Sequence, residues 1–96
     1  MDDEGEPFVL PIGEELDLHA FAPRDVASVV EEYLRECRAR GVLLVRVVHG
    51  RGRGVQRAEV RRLLAALPGI ASFADAAPSS GGWGATVVRL EPQPDS

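Results

Sequence analysis

Apolar and polar positions divide most of the chain into six segments. Residues 42–48 are a run of aliphatic side chains interrupted by Arg46, a pattern typical of a strand that is buried on both faces. Apolar and polar residues alternate over residues 16–19, which predicts a shorter strand with Leu16 and Leu18 on its buried face. Two further strands are predicted over residues 70–76 and 85–90.

Two segments repeat their apolar side chains at helical spacing. Pro23 suits the first position of a helix, and Gly41 is expected to end that helix in a left-handed conformation. A second helix is predicted over residues 56–67, and Pro68-Gly69 stops it. The apolar stripes are Val26, Val30, Tyr33, Leu34 and Cys37 in the first helix, and Val60, Leu63, Leu64 and Leu67 in the second.

The resulting order is strand, helix, strand, helix, strand, strand. Two successive strand–helix–strand units favour parallel neighbours, and the short last connection allows the final strand to run antiparallel. We therefore predict an α/β fold, a small α+β sandwich in which two amphipathic helices pack on a four-stranded mixed sheet. Residues 1–15 are predicted to form an acidic leader, residues 16–91 one domain, and residues 92–96 a tail.

Composition favours a folded domain in the cytoplasm. The 96 residues are 45% hydrophobic and 27% charged, as in ordinary globular proteins. No apolar run approaches the roughly 20 residues that cross a membrane, and the N-terminus lacks the layout of a secretory signal. The single cysteine, Cys37, excludes an internal disulfide and a multi-cysteine metal site. Because Cys37 lies on an apolar stripe, we expect it in the core.

The distribution of charge favours a phosphate-bearing partner. The net charge is −4, but residues 1–15 carry six acids and residues 91–96 two more. Residues 16–90 therefore set eleven arginines against seven acids, a charge of +4. A basic body attracts nucleic acid through counterion release. The alternative is that codon bias, which would also explain the lack of lysine, produced the arginines.

Candidate chemistry collects where the first two predicted strands end. His19 ends the first strand and His49 the second, and ligands of parallel sheets bind beyond the carboxyl ends of the strands. Asp17 is expected to face the same region. After His49, glycines alternate with arginines, and such a loop before a helix offers backbone N–H groups to an anion. The loop consists of Gly50, Arg51, Gly52, Arg53 and Gly54.

This loop matches neither of the common nucleotide-binding motifs. It lacks the Gly-Lys-Ser/Thr ending of a P-loop, and its glycines do not have the spacing of G-x-G-x-x-G. Two histidines and an aspartate could hold a divalent metal ion, so a metal cofactor stays open, although no close spacing of ligands supports it.

Three motifs together resemble the small MutS-related (Smr) domain family. They are LDLH at residues 16–19, HGRG at 49–52 and GGWGATVVRL at 81–90. The resemblance implies a fold similar to that of the C-terminal domain of bacterial translation initiation factor 3. It also implies nucleic-acid binding and, in several branches, endonuclease activity on DNA or RNA. The chain departs from the family's LDLHG motif at Ala20, where glycine is usual.

The first functional hypothesis is an endonuclease that cleaves RNA or DNA. His19 and His49 would act as general acid and base, and Asp17 would orient one imidazole or recruit a metal ion. The backbone of residues 50–54 would hold the phosphate, with the arginines of the loop stabilising negative charge. If the usual glycine adopts a positive φ or lets a phosphate approach closely, Ala20 would hinder this chemistry and favour binding over cleavage.

The second hypothesis is a non-catalytic module that binds RNA, DNA or a ribosomal surface. Arg57 and Arg61 would extend the contact along the second helix, and Trp83 would stack on an unpaired base. The alternative for Trp83 is packing over the edge of the sheet. The third hypothesis is a protein-interaction domain, and the oligomeric state stays open in all three.

Overall fold

A computed structural model describes residues 14–50, 54–80 and 82–94. Its four strands are β1 (Glu14–Asp17), β2 (Leu44–Val48), β3 (Ile70–Asp75) and β4 (Ala85–Leu90), and its two helices are α1 (Val26–Ala39) and α2 (Val55–Ala66). Short 3₁₀ turns cover Leu18–Ala20, Pro23–Asp25, Pro78–Ser80 and Gly82–Gly84. The predicted order of elements and the α+β class with a four-stranded mixed sheet are confirmed.

The strands lie in the order β1-β2-β4-β3. β1 runs parallel to β2, and β4 runs antiparallel to both of its neighbours. The expectation that β2 and β3 are neighbours is therefore wrong, because β4 lies between them. Burial explains the arrangement: β4 is mostly buried, whereas no residue of β3 is fully buried, which suits the edge of the sheet.

Both helices pack on the same face of the sheet. Their apolar stripes share one buried cluster with alternate residues of the strands, and Cys37 lies in it as expected. Leu44, Arg46 and Val48 on the other face of β2 are only half-buried. The prediction that β2 is buried on both faces is wrong, because the helices cover one face. The cluster consists of Leu16, Leu18, Val26, Val30, Leu34, Cys37, Val45, Val47, Val60, Leu64, Val88 and Leu90.

The ends of α1 follow the local sequence. Pro23 opens the turn before the helix, and Gly41 follows it with φ of +80°. The N–H of Val42 donates to the carbonyl of Cys37 at 2.8 Å, and that of Gly41 donates to Arg38 at 3.1 Å. These two bonds form a Schellman motif, so the predicted left-handed cap is confirmed.

The first strand begins within the predicted acidic leader. Glu14 and Glu15, assigned to the acidic leader, belong to β1, and the remainder of that leader lies outside the described residues. Within the described part of the chain, no helix combines the length and apolar content needed to cross a bilayer.

Candidate functional site

Asp17 ends β1 and starts the turn that carries His19. Its Oδ1 accepts a hydrogen bond from the backbone N–H of His19 at 2.9 Å, and this contact competes with continuation of the strand. The predicted strand over residues 16–19 is therefore wrong at its end, since the strand stops at Asp17. Leu16 and Leu18 are both buried as predicted, and Leu18 anchors the turn on the core.

The side chains of Asp17 and His19 form an exposed pair. Oδ1 lies 2.8 Å from the imidazole Nδ1, and the side chains of His19 and Asp17 are 63% and 56% exposed. The backbone N–H and the imidazole of His19, in that order, hold the pKa of Asp17 below its usual value. Because a carboxylate only accepts, Nδ1 carries a proton, and Nε2 of the neutral ring keeps a lone pair.

His49 lies at the end of β2 in a different environment. It is 4% exposed, its Nδ1 lies 3.0 Å from the carbonyl oxygen of Gly50, and its Nε2 lies 2.8 Å from Oγ1 of Thr86. The carbonyl can only accept, so Nδ1 donates to it, and Nε2 accepts from the Thr86 hydroxyl. Burial is the main cause that lowers the pKa of His49. Both nitrogens of this imidazole are therefore occupied by the fold.

Gly50 joins the environments of the two histidines. Its φ is +78°, and a Cβ at this position would lie 2.9 Å from Nε2 of His19. His19 thus packs on the Cα side of Gly50, while His49 holds its carbonyl. The backbone N–H groups of His49 and Gly50 both donate to Gly84, at 3.1 and 2.8 Å. The structure brings both histidines and Asp17 to one edge of the sheet.

The predicted phosphate-binding arginines of α2 already have a partner. Asp75 at the end of β3 accepts from Nε of Arg57 at 3.1 Å and from its terminal nitrogen at 2.8 and 3.0 Å. Arg61 reaches the same carboxylate at 3.4 Å, and its guanidinium lies 5.2 Å from the ring centre of Phe73. A phosphate on these arginines would compete with Asp75.

The Smr domain model matches residues 16–91. This chain belongs to the Smr domain family. The Smr domain is 40% identical over 78 residues to Endonuclease MutS2 of Thermus thermophilus, a match that covers 81% of this chain and 10% of that protein. It is 36% identical over 84 residues to Endonuclease MutS2 of Aquifex aeolicus, covering 84% of this chain and 11% of that protein. The chain spans about a tenth of the length of these curated relatives.

Solved structures agree with this membership. The crystal structure of the Smr domain of Thermus thermophilus MutS2 matches with a TM-score of 0.78 and 39% identity, over 82% of this chain and 99% of that one. YdaL, a stand-alone small MutS-related protein from Escherichia coli, matches with a TM-score of 0.74 and 26% identity, over 80% and 63% of the two chains. The family resemblance drawn from the three motifs is confirmed.

Several candidate residues of this Smr domain have no described side chain. Arg51, Gly52 and Arg53 lie outside the described residues, as does the side chain of Trp83, whose backbone forms part of a 3₁₀ turn. Gly54 precedes α2 with φ of +80°. These predicted roles in nucleic-acid binding stay predictions.

Ala20 is not strained in this fold. Among the described residues, no side-chain-bearing residue has a positive φ, and Ala20 is exposed at the end of its turn. The conformational freedom of glycine is therefore not required at this position, and the objection to cleavage on that ground falls.

Two contacts of the site could not be found from the sequence. Thr86 lies 37 residues from His49, and Asp75 lies 18 residues from Arg57. Thr86 belongs to the GGWGATVVRL motif, which was the one signal in that segment. No group of three or more His, Cys, Asp and Glu side chains placed to hold a metal ion occurs among the described residues.

Proposed function

We propose that this Smr domain binds nucleic acid and cleaves phosphodiester bonds where His19 meets Gly50. The pair of Asp17 and His19 carries the proposal: an exposed imidazole is oriented by a carboxylate and has its Nε2 against the HGRG motif. An oriented, solvent-accessible imidazole is suited to general base catalysis near neutral pH. The relatives named Endonuclease MutS2 support phosphodiester cleavage as the class of reaction.

His19 is the group that moves the proton. Nε2 accepts a proton from the nucleophile, which is water or, in RNA, the neighbouring 2′-hydroxyl, as the oxygen of that nucleophile forms a bond to phosphorus. The opposite P–O bond breaks, and the leaving oxygen takes a proton from water. Asp17 stays ionised, because the contacts with His19 lower its pKa, and its charge stabilises the imidazolium that forms. Such catalysis contributes about 10²- to 10⁴-fold to the rate.

His49 is assigned a positioning role in place of general acid or base. Its ring is buried, and neither nitrogen is available to a substrate without breaking a hydrogen bond. The imidazole instead fixes the carbonyl of Gly50, and thereby the backbone on which His19 rests. This division of roles revises the hypothesis that the two histidines act as an acid–base pair.

The catalytic part is tested with clean, nuclease-free protein on single-stranded RNA, single-stranded DNA and duplex DNA, each with EDTA and with Mg²⁺. His19→Ala should lower the cleavage rate about 10²- to 10⁴-fold while the affinity for nucleic acid stays near that of wild type. Asp17→Asn should give a smaller loss in the same direction. Asp25→Asn is the matched control, because the Asp25 side chain makes no capping hydrogen bond.

Each outcome of this assay decides between hypotheses. Cleavage at the wild-type rate by His19→Ala contradicts the assigned chemistry. Salt-dependent binding without cleavage by the wild-type protein identifies a non-catalytic binding module. Affinity that does not change with salt excludes phosphate contacts and favours a protein-interaction domain.

The binding part includes the loop of residues 50–54, with Arg51 and Arg53, and the arginines of α2. Asp75→Asn should strengthen binding several-fold, because Arg57 and Arg61 lose the carboxylate that holds them. The slope of log affinity against log salt should become steeper by the amount expected for about one additional phosphate contact. Glu59→Gln is the control, since Glu59 pairs with Arg62 on the same helix. Weaker binding by Asp75→Asn would contradict the role of these arginines.

A further inference from the structure

We infer that the site takes an unpaired nucleotide, whose base stacks on Phe21 while a neighbouring phosphate pairs with Arg24. This inference rests on the proposed function and narrows its substrate to single-stranded nucleic acid. It rests on two side chains of the segment that follows His19: the exposed phenyl ring of Phe21 and the guanidinium of Arg24.

Phe21 is exposed beside the proposed catalytic group. Phe21 is 40% exposed. It belongs neither to the buried core nor to the apolar residues packed against that core. By contrast, Phe73 packs against the core. The N–H of Phe21 donates to the carbonyl of Leu18 at 3.1 Å, which closes the turn that carries His19. The aromatic side chain is therefore held two residues from the proposed base.

Arg24 is a cation without a partner among the described residues. Among the described residues, Arg24 and Arg89 are the arginines that make no hydrogen bond or ion pair, while the others contact carboxylates or carbonyls. Arg24 lies in the turn after Phe21, three residues along the chain, a distance of at most about 10 Å. Arg89 lies opposite Leu44 at the other end of the sheet.

These two side chains select for an unpaired strand. A base within a duplex has its faces covered by its neighbours, so a phenyl ring can stack only on a base that is unstacked. A guanidinium without a protein partner is available for a charge-assisted hydrogen bond to phosphate. Together with His19 on the same segment, Phe21 and Arg24 would hold a base and a phosphate next to the bond to be cleaved.

The stacking part is tested by fluorescence anisotropy with labelled single-stranded RNA, single-stranded DNA and a duplex of the same sequence. Phe21→Ala should weaken single-strand binding about 5- to 100-fold and leave duplex binding unchanged. Phe21→Leu, which keeps apolar bulk without a ring, should behave like Phe21→Ala, and Phe21→Trp should retain affinity. Val55→Ala is the control, because Val55 is 71% exposed and aliphatic.

The phosphate part uses the two unpartnered arginines. Arg24→Gln should weaken single-strand binding and make the slope of log affinity against log salt shallower, by the amount expected for the loss of about one phosphate contact. Arg89→Gln should leave that slope unchanged. Single-strand affinity that is unaffected by Phe21→Ala, or lost equally for duplex, overturns the inference. Absence of any nucleic-acid binding by the wild-type protein overturns the proposed function itself, and the two failures are thereby distinguished.

Discussion

His19 and His49 follow neighbouring parallel strands and meet at Gly50, yet the fold uses them in opposite ways. The His19 imidazole is mostly exposed and has one nitrogen bonded to Asp17. The His49 imidazole is almost fully buried and has both nitrogens bonded within the domain. At the same edge of the sheet, the His19 imidazole is therefore available to a substrate, whereas the His49 imidazole holds the surrounding backbone and side chains in place.

The position of each histidine in its backbone element explains why one imidazole is buried and the other is exposed. His49 continues the alternation of buried residues set by Val45 and Val47. Its side chain therefore lies on the buried face of the sheet, where it contacts the hydroxyl of Thr86 on β4. His19 lies within the 3₁₀ turn that Asp17 starts, and its exposed ring packs beside Gly50. A histidine at a strand end thus takes its role from the face on which the backbone places it.

The largest effect on stability is expected from removing the buried ring. His49→Ala should lower the free energy of unfolding by about 2–4 kcal/mol, because it opens a cavity and leaves the Thr86 hydroxyl and the Gly50 carbonyl without their partner. His19→Ala should leave it nearly unchanged, as is usual for exposed positions. Urea unfolding measures both variants, and equal losses would break the comparison between the two histidines.

A smaller loss of stability, with a loss of activity, is expected from Gly50→Ala. Alanine at a φ of +78° costs about 1–2 kcal/mol, and its Cβ would lie 2.9 Å from Nε2 of His19. Because the imidazole must move, cleavage should fall about 10- to 100-fold.

Gly41→Ala is the matched control for this substitution. Its φ is +80°, but an added Cβ meets nothing within 4 Å. It should show a similar loss of stability in urea unfolding and no loss of cleavage rate. If both variants cleave equally well, contact between residue 50 and His19 is not needed for activity.

Thr86→Val should have a still smaller effect. It keeps the shape of the side chain but removes the hydroxyl that donates to Nε2 of His49, which costs about 1–2 kcal/mol for a buried acceptor left unsatisfied. Thr86→Ser retains the hydroxyl and serves as the control. Nitrogen NMR shifts of the imidazole should report loss of this bond in Thr86→Val alone, and unchanged shifts would contradict the assigned tautomer.

Local patterns in the sequence were sufficient to predict much of the fold. The apolar run before His49 predicted β2, the stripe from Val26 to Cys37 predicted α1, and Gly41 marked its end. Each of these features depends on residues close together in the chain. The motifs LDLH and HGRG likewise located both halves of the candidate site, because strand ends in a parallel pair meet at one edge.

Features that depend on strand pairing could not be predicted in this way. Nothing local shows that β4 lies between β2 and β3, and only that arrangement puts Thr86 opposite Val47 and beside His49. The pairing of β3 with β4 also places Asp75 opposite Thr86, on the side of the sheet that α2 covers, where it neutralises Arg57. The sequence therefore located the histidines but could not distinguish the exposed imidazole from the buried one.

The smallest expected effect is a dependence of stability on pH that the buried His49 produces. Its pKa in the folded protein lies below the ordinary value of 6.5, chiefly through burial, so the unfolded chain binds a proton first as pH falls. The stability from the neutral buried ring is fully present above about pH 6.5 and declines as pH falls from there toward the folded pKa. Asp17, whose pKa is also lowered, acts in a separate window below its ordinary value of 3.8.

Urea unfolding between neutral pH and the onset of carboxylate titration measures this dependence. Wild type and His19→Ala should lose stability over the same interval, whereas His49→Gln, which cannot titrate, should give a flatter profile. A flatter profile in His19→Ala with an unchanged one in His49→Gln would reverse the assignment, because the exposed imidazole would then be the group whose protonation opposes folding. The pH profile thus separates the two histidines by a property that does not depend on knowing the substrate.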